Sequence, residues 1–172
     1  LQALRQQLHG PVPVSVPAAV PANTGLQHLR GRYLQLPGPR ADWVYTEQAG
    51  PDDAPPLLML HTAGADARQW HGLMVQAALR DRWQLHAFDL PGHGRSPLPE
   101  GLPNWHWRLT EADYLHWVLA YLDACGLQRV VLMGCSMGSA IGLALLARAP
   151  ERFAGALLLE APYRAPGRRS PY

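Results

Sequence analysis

The residues best suited to chemistry form a G-x-S-x-G pentapeptide, Gly134-Cys135-Ser136-Met137-Gly138. It lies between a strand-like and a helix-like segment, where a serine on so tight a turn has strained backbone angles and an exposed hydroxyl. The glycines remove the side chains that would collide there. Unpaired N–H groups and the positive dipole end of the following helix suit a developing oxyanion. The pattern therefore predicts a nucleophilic serine, and the open alternative is a strand-to-helix turn without chemistry.

Two further polar segments each follow an apolar, strand-like run earlier in the chain. His61-Thr62-Ala63-Gly64 comes directly after one run, and residues 89–96 (DLPGHGRS) come directly after the next. With these segments and the serine turn in this order, the chain resembles the front portion of an α/β-hydrolase. That family carries an HG-type oxyanion loop after its third strand, a D-x-P-G-x-G-x-S loop after its fourth and the serine turn after its fifth. The resemblance covers residues 30–162.

The resemblance implies hydrolysis of an ester, or of a related acyl or carbon–carbon bond, in a small molecule through an acyl-enzyme. Acyltransferases and perhydrolases share the serine turn, so they stay open as alternatives. The haloalkane dehalogenases and epoxide hydrolases of the family use aspartate as the nucleophile, so the serine argues against them.

Site roles are carried over from the family position by position. Ser136 matches the nucleophile, and the backbone N–H groups of Met137 and Ala63 match the two oxyanion donors. Thr62 stands where the family commonly has glycine, and Ser139 replaces a frequent second glycine. The other residues expected to line or support the site are His61, Thr62, Gly64, Gly134, Gly138, Asp89, His93, Trp105 and Glu160.

Some of these supporting residues have individual expectations. His61 is expected to shape its loop through hydrogen bonds rather than to act as a base. Asp89 and His93 are expected to hold the glycine-rich turn through bonds from side chain to backbone. Trp105 either lines a substrate pocket or packs in the core. Glu160, at the end of the last strand, is a candidate pocket group or substitute catalytic acid. The histidines lack metal-ligand spacing with nearby cysteines or carboxylates, so we expect no metal and no cofactor.

The catalytic histidine has no match in this sequence. In this fold the nucleophile, the acid and the histidine follow in that chain order, yet the last of the eight histidines is His116. One explanation is that the chain is the N-terminal piece of a hydrolase whose further strands, lid and histidine lie beyond Tyr172. The chain alone would then be inactive. The other is a non-catalytic, hydrolase-like module that binds a ligand or partner.

The segments around these motifs predict an α/β fold: a mostly parallel sheet with flanking helices and an N-terminal antiparallel strand pair, matching a truncated α/β-hydrolase core. Strands are predicted over residues 32–36, 42–47, 56–61, 83–88, 129–134 and 153–160. Helices are predicted after Asp66, where Gln69 completes a capping pair, after Thr110, and over residues 137–149. We expect residues 1–29 to be an arm or linker, residues 30–162 to be the core with its first six strands, and residues 163–172 to be the start of a lid or a truncated tail.

Composition excludes several classes of protein. Of the 172 residues, 48% are hydrophobic and 16% charged, with a net charge of +2, which excludes disorder along the whole chain. No apolar stretch reaches the roughly 18 residues that a membrane span needs. The basic residues, all arginine, are scattered, which argues against a nucleic-acid surface. Two cysteines cannot make a disulfide framework. We therefore expect a reduced, cytoplasmic setting. A small-molecule substrate is what the α/β-hydrolase resemblance implies, and the sequence indicates no oligomeric state.

Overall fold

A computed structural model describes residues 25–38, 42–99 and 110–162 of the chain. Six strands form a single sheet in the order β1-β2-β4-β3-β5-β6. The first two pairings, β1 with β2 and β2 with β4, are antiparallel, and the pairings of β4 with β3, β3 with β5 and β5 with β6 are parallel. The strands are β1 (Arg30–Gln35), β2 (Trp43–Ala49), β3 (Pro56–Leu60), β4 (Gln84–Phe88), β5 (Val130–Cys135) and β6 (Phe153–Leu159).

Helices lie on both faces of this sheet. They are α1 (His71–Met74), α2 (Ala77–Arg80), α3 (Glu111–Ala124) and α4 (Met137–Arg148), joined by short 3-10 turns at Leu26–His28, Ala67–Trp70 and Pro150–Arg152. The predicted α/β fold, with its mostly parallel sheet and N-terminal antiparallel pair, is confirmed. The predicted strand boundaries agree with the observed ones to within two residues.

The apolar core consists of one layer on each face of the sheet. Helices α3 and α4 cover one face, where Trp117, Tyr121 and Leu145 are fully buried against the sheet. The 3-10 turn before α1 and α1 itself cover the other face through Trp70 and Met74. The central strands are therefore buried on both faces, which explains their continuous apolar sequences.

The segment after β3 departs from the single helix that the sequence predicts. The chain forms the 3-10 turn Ala67–Trp70 and then the short helices α1 and α2, because Gln76 between them has extended backbone angles (φ −69°, ψ 118°). Asp66 does cap this segment by accepting a hydrogen bond from the backbone N–H of Arg68. The predicted capping pair with Gln69 is wrong, because the Gln69 side chain bonds to the loop after β3 instead.

Helix α3 begins as predicted, with a capping box. The Thr110 hydroxyl accepts from the backbone N–H of Asp113, and the Asp113 carboxylate accepts from the backbone N–H of Thr110. These reciprocal bonds satisfy two backbone donors at the start of the helix. Across residues 25–38, 42–99 and 110–162, no helix is long and apolar enough to cross a membrane.

Candidate active site

The turn between β5 and α4 carries a strained serine. Ser136 has φ 49° and ψ −108° and directly precedes the first residue of α4. A non-glycine residue pays an energetic cost in such a conformation, which persists only where its surroundings enforce it. The backbone N–H of Ser136 donates to the carbonyl of Leu159 on β6 at 2.9 Å, so the last bond between these strands fixes the turn. The half-buried Ser136 hydroxyl has no hydrogen-bond partner among the described residues.

The two glycines of the pentapeptide let the helix begin at once. A Cβ atom on Gly134 would lie 2.6 Å from the carbonyl carbon and oxygen of Gly138. A Cβ atom on Gly138 would lie 2.3 Å from the carbonyl oxygen of Leu60 at the end of β3. Any side chain at either position would therefore push α4 away from the sheet. These close approaches bring the start of α4 beside the loop that follows β3.

The first turn of α4 is also tied to β6. The backbone N–H groups of Ser139 and Ala140 donate to the Ser136 carbonyl, each at 3.0 Å. The Ser139 hydroxyl donates to the Leu159 carbonyl at 2.7 Å, the same oxygen that accepts the Ser136 N–H. The Met137 N–H is one of the helix donors that lack an intrahelical carbonyl partner. It donates to no carbonyl of the described residues and is therefore available to a ligand.

The loop after β3 is held by side chains on either side of Thr62. The Thr62 N–H donates to Gln69 Oε1 at 2.9 Å. The Thr62 carbonyl accepts from His61 Nδ1 at 2.8 Å and from the Ala65 N–H at 3.2 Å. Ala63 is exposed and Gly64 has φ 72°, in the region that favours glycine.

His61 is fully buried and both of its ring nitrogens bond to backbone groups. Nε2 accepts from the Leu90 N–H at 3.0 Å, so the proton lies on Nδ1, which donates to the Thr62 carbonyl. Burial lowers the pKa of His61 below its ordinary value, with the neighbouring His93 ring adding to the effect. The ring is therefore neutral at pH 7 and offers no nitrogen to Ser136.

The loop after β4 is built around Asp89, which is completely buried. Its Oδ1 accepts from the Ala67 N–H at 2.7 Å and its Oδ2 from the Arg95 N–H at 2.8 Å. Gly94, at φ 52°, lets the backbone pass this carboxylate, since a Cβ there would lie 2.4 Å from Oδ2. The Ser96 hydroxyl donates to the Asp89 carbonyl at 2.5 Å. The carboxylate thus joins this loop to the segment before α1.

A network of charged side chains lies beside this loop. Arg95 Nη1 donates to Glu47 Oε1 at 2.9 Å, and His71 Nε2 donates to Glu47 Oε2 at 2.5 Å. The Arg95 guanidinium also lies 3.7 Å above the centre of the Tyr45 ring. Sequence reasoning missed this network, because its members are far apart in the chain and form no motif.

An apolar groove of about 180 Å³ lies between α3 and α4. Its wall includes Met137, the residue after Ser136, and the Tyr114 hydroxyl donates to Met137 Sδ at 3.3 Å. The remaining wall residues are Glu111, Leu115, Ala140, Ile141 and Ala144. The groove therefore begins at the same helix end that carries the serine turn.

The predicted site residues that remain are His93, Glu160 and Trp105. His93 Nδ1 donates to the Pro91 carbonyl at 3.2 Å, within its own turn. Glu160 follows β6, is exposed and has φ 53°. Trp105 lies outside the described residues, as do residues 1–24 and 163–172. Within the described ranges, no group of three or more histidine, cysteine or acidic side chains is arranged to hold a metal ion.

Comparisons with known proteins agree with this architecture. A family model described as the alpha/beta hydrolase fold matches residues 55–169. The Bacillus subtilis protein named uncharacterized carboxylesterase nap is 31% identical over 111 residues, which are 64% of this chain and 35% of that protein. The pimeloyl-[acyl-carrier protein] methyl ester esterase of Aeromonas salmonicida is 35% identical over 99 residues, 57% of this chain and 34% of that protein.

A solved structure is similar over a larger share of the chain. It is the naproxen esterase (carboxylesterase NP) of Bacillus subtilis, with a TM-score of 0.65 and 28% identity, covering 79% of this chain and 46% of that one. The chain thus spans about a third of the length of the curated relatives described above.

Proposed function

The chain belongs to the α/β-hydrolase fold family, and we propose that the protein hydrolyses an ester or related acyl bond of a small molecule through an acyl-enzyme on Ser136. The observation that carries this proposal is the backbone of Ser136, strained at φ 49° at the first turn of α4. Strain of this kind is costly and is found preferentially at functional sites. The carboxylesterase and methyl ester esterase named above support the same reaction class.

Each proposed group has one task in the reaction. Ser136 Oγ attacks the substrate carbonyl carbon while a histidine base takes its proton. The oxyanion that forms accepts hydrogen bonds from the Met137 and Ala63 N–H groups. Collapse of this intermediate expels the alcohol, protonated by the same histidine, and leaves the acyl group on Ser136. A water molecule then attacks the acyl carbon, and the same steps return the free serine.

We propose that the histidine base and its acid come from a part of the protein outside these 172 residues. No histidine follows Ser136 in the sequence, and both ring nitrogens of His61 are already bonded to the backbone. The curated relatives are about three times as long as the segment they share with this chain. The 172-residue chain alone should then turn over activated esters at a negligible rate.

The groove between α3 and α4 supports an ester with an apolar acyl or alkyl group. Its wall is apolar apart from the Glu111 carboxylate and the Tyr114 hydroxyl, and it shares Met137 with the proposed oxyanion site. An apolar group of the substrate would gain about 0.8 kcal/mol for each methylene that it buries there.

A non-catalytic binding module is the second candidate. It is favoured by the lack of a hydrogen-bond partner for the Ser136 hydroxyl in the described part of the chain. An acyltransferase or perhydrolase would differ from the hydrolase only in the acceptor that attacks the acyl-enzyme. Adding a competing alcohol or peroxide to the assay tells these acceptors apart.

Ester hydrolysis by the full-length protein tests the proposal. With 4-nitrophenyl butyrate, Ser136→Ala should lower kcat/KM by at least about a thousandfold, because the nucleophile is lost. The control is Cys135→Ala, which removes the adjacent thiol and should keep most of the rate. Equal rates for Ser136→Ala and the unmodified protein would exclude Ser136 as the nucleophile, and no hydrolysis by the unmodified protein would favour the binding module.

A further inference from the structure

We propose that His61 and Gln69 are positioning residues that aim the Ala63 N–H at the oxyanion. This inference rests on the function proposed above. Neither side chain would touch the substrate. Each holds one of two consecutive peptide groups, and the second of these contains the Ala63 N–H.

The Thr62–Ala63 peptide is held by its carbonyl end. No cis peptide occurs in the described part of the chain, so the carbonyl and N–H of this peptide point in opposite directions. The carbonyl accepts from His61 Nδ1 at 2.8 Å and from the Ala65 N–H at 3.2 Å. These two bonds fix the plane of the peptide, and they direct the Ala63 N–H away from the buried His61 ring.

His61 is itself held in a single tautomer. The Leu90 N–H donates to Nε2 at 3.0 Å, which leaves Nδ1 as the protonated nitrogen. The ring has no solvent exposure and therefore cannot rotate without losing both bonds. A backbone group of the loop after β4 thus determines which hydrogen bond His61 makes to the loop after β3.

Gln69 holds the preceding peptide and removes a competing donor. Its Oε1 accepts from the Thr62 N–H at 2.9 Å, so that N–H is not available to a ligand. The Ala63 N–H, in contrast, donates to none of the described residues, and Ala63 is exposed. Of these two successive donors, only the one at Ala63 is left to face a substrate.

The first test measures geometry and needs no catalysis. Long-range ¹H–¹⁵N spectra of the histidine rings, with His61 assigned through His61→Asn, report which nitrogen carries the proton. We expect a proton on Nδ1 and none on Nε2 between pH 6 and 8. A proton on Nε2 would overturn the inference, because Nδ1 could not then donate to the Thr62 carbonyl.

The second test uses variants of the full-length protein that keep or lose one bond each. Gln69→Leu removes the acceptor and should lower kcat about 10- to 100-fold with little change in KM, as expected for a misaimed oxyanion donor. Gln69→Glu keeps an acceptor oxygen and should recover most of the rate. The matched control is Gln76→Leu, an exposed glutamine between α1 and α2 whose side chain donates to the Gly72 carbonyl, and its rate should not change.

Two further variants distinguish the hydrogen bond made by Nδ1 of His61 from the one made by Nε2. The side-chain nitrogen of His61→Asn lies near the Nδ1 position and can donate to the Thr62 carbonyl, whereas His61→Gln reaches only the Nε2 position. We expect the asparagine variant to retain more of kcat than the glutamine variant, with urea unfolding confirming that both fold. If Ser136→Ala abolishes hydrolysis while Gln69→Leu and His61→Gln leave kcat unchanged, this inference alone fails. If Ser136→Ala has no effect, the proposed function fails.

Discussion

The two buried histidines His61 and His86 differ in how many of their ring nitrogens have a hydrogen-bond partner. His61 uses both ring nitrogens for backbone groups, whereas His86 on β4 has no partner for Nε2 among the described residues. His86 Nδ1 bonds to the hydroxyl of Tyr121, which also bonds to the Thr46 hydroxyl at 2.6 Å. This polar cluster packs between α3 and the sheet, so it has to keep its hydrogen bonds without help from solvent.

The stability of the fold should therefore fall in mild acid. Burial, with the nearby Arg32 and Arg30 cations adding to it and Asp52 opposing it, lowers the pKa of His86 to about 4. In the unfolded chain the same ring has a pKa of about 6.5, so below that pH the unfolded state binds the extra proton. The free energy of unfolding should decline as pH falls from about 6.5 to 4, by up to about 3 kcal/mol from this residue.

Urea unfolding between pH 7.5 and 4 measures this effect. His86→Asn keeps an amide near the Nδ1 position and cannot titrate, so its free energy of unfolding should fall less over the same interval. His61, whose pKa is also lowered, contributes to both proteins and cancels in the comparison. An identical pH dependence in the two proteins would contradict this interpretation of His86.

At the scale of the elements, α4 lies close against the end of β3 at Gly138. Gly138→Ala should lower the free energy of unfolding by about 1 to 3 kcal/mol, because the new methyl group would lie 2.3 Å from the Leu60 carbonyl oxygen. The matched control is Gly72→Ala in α1, where an added Cβ meets nothing within 4 Å, and it should be neutral or stabilising by up to about 1 kcal/mol. Equal effects of the two changes in a denaturant titration would show that α4 does not approach β3 so closely.

The elements also show what a sequence can and cannot predict. The α3 start was predictable, because a capping box is formed by neighbouring residues. The break at Gln76 was not, because Trp70, Leu73, Met74 and Ala77 repeat at helical spacing across it. Gln69 likewise fits a local cap in sequence, yet it bonds to a loop brought near only by the folded sheet. Bonds between distant segments, such as those of Glu47, Arg95 and His71, leave no local signal.

At the scale of the whole molecule, β6 presents apolar side chains to solvent at one edge of the sheet. In the described chain β5 is the one strand neighbour of β6. Leu157 and Leu159 lie on one face of β6 and are 53% and 49% exposed, beside Met133 and Cys135 on β5. An apolar edge strand of this kind is prone to pair with other chains.

The 172-residue chain should therefore self-associate at micromolar concentrations. Leu157→Lys should shift it towards monomer, because it places a charge on the exposed apolar face. The matched control is Leu26→Lys, a leucine with 45% exposure in the 3-10 turn that precedes β1, and it should leave association unchanged. Light scattering over a concentration series measures both, and unchanged association in Leu157→Lys would show that β6 is not the contact.

The most direct measurement of the central claim is the site at which a fluorophosphonate attaches to the full-length protein. Trypsin cleaves after Arg129 and Arg148, so a single peptide carries Cys135, Ser136 and Ser139, and its fragment masses tell them apart. We predict one adduct, on Ser136, and none on this peptide in Ser136→Ala. An adduct on Ser139 or Cys135, or equal labelling after Ser136→Ala, would contradict a nucleophilic serine at the start of α4.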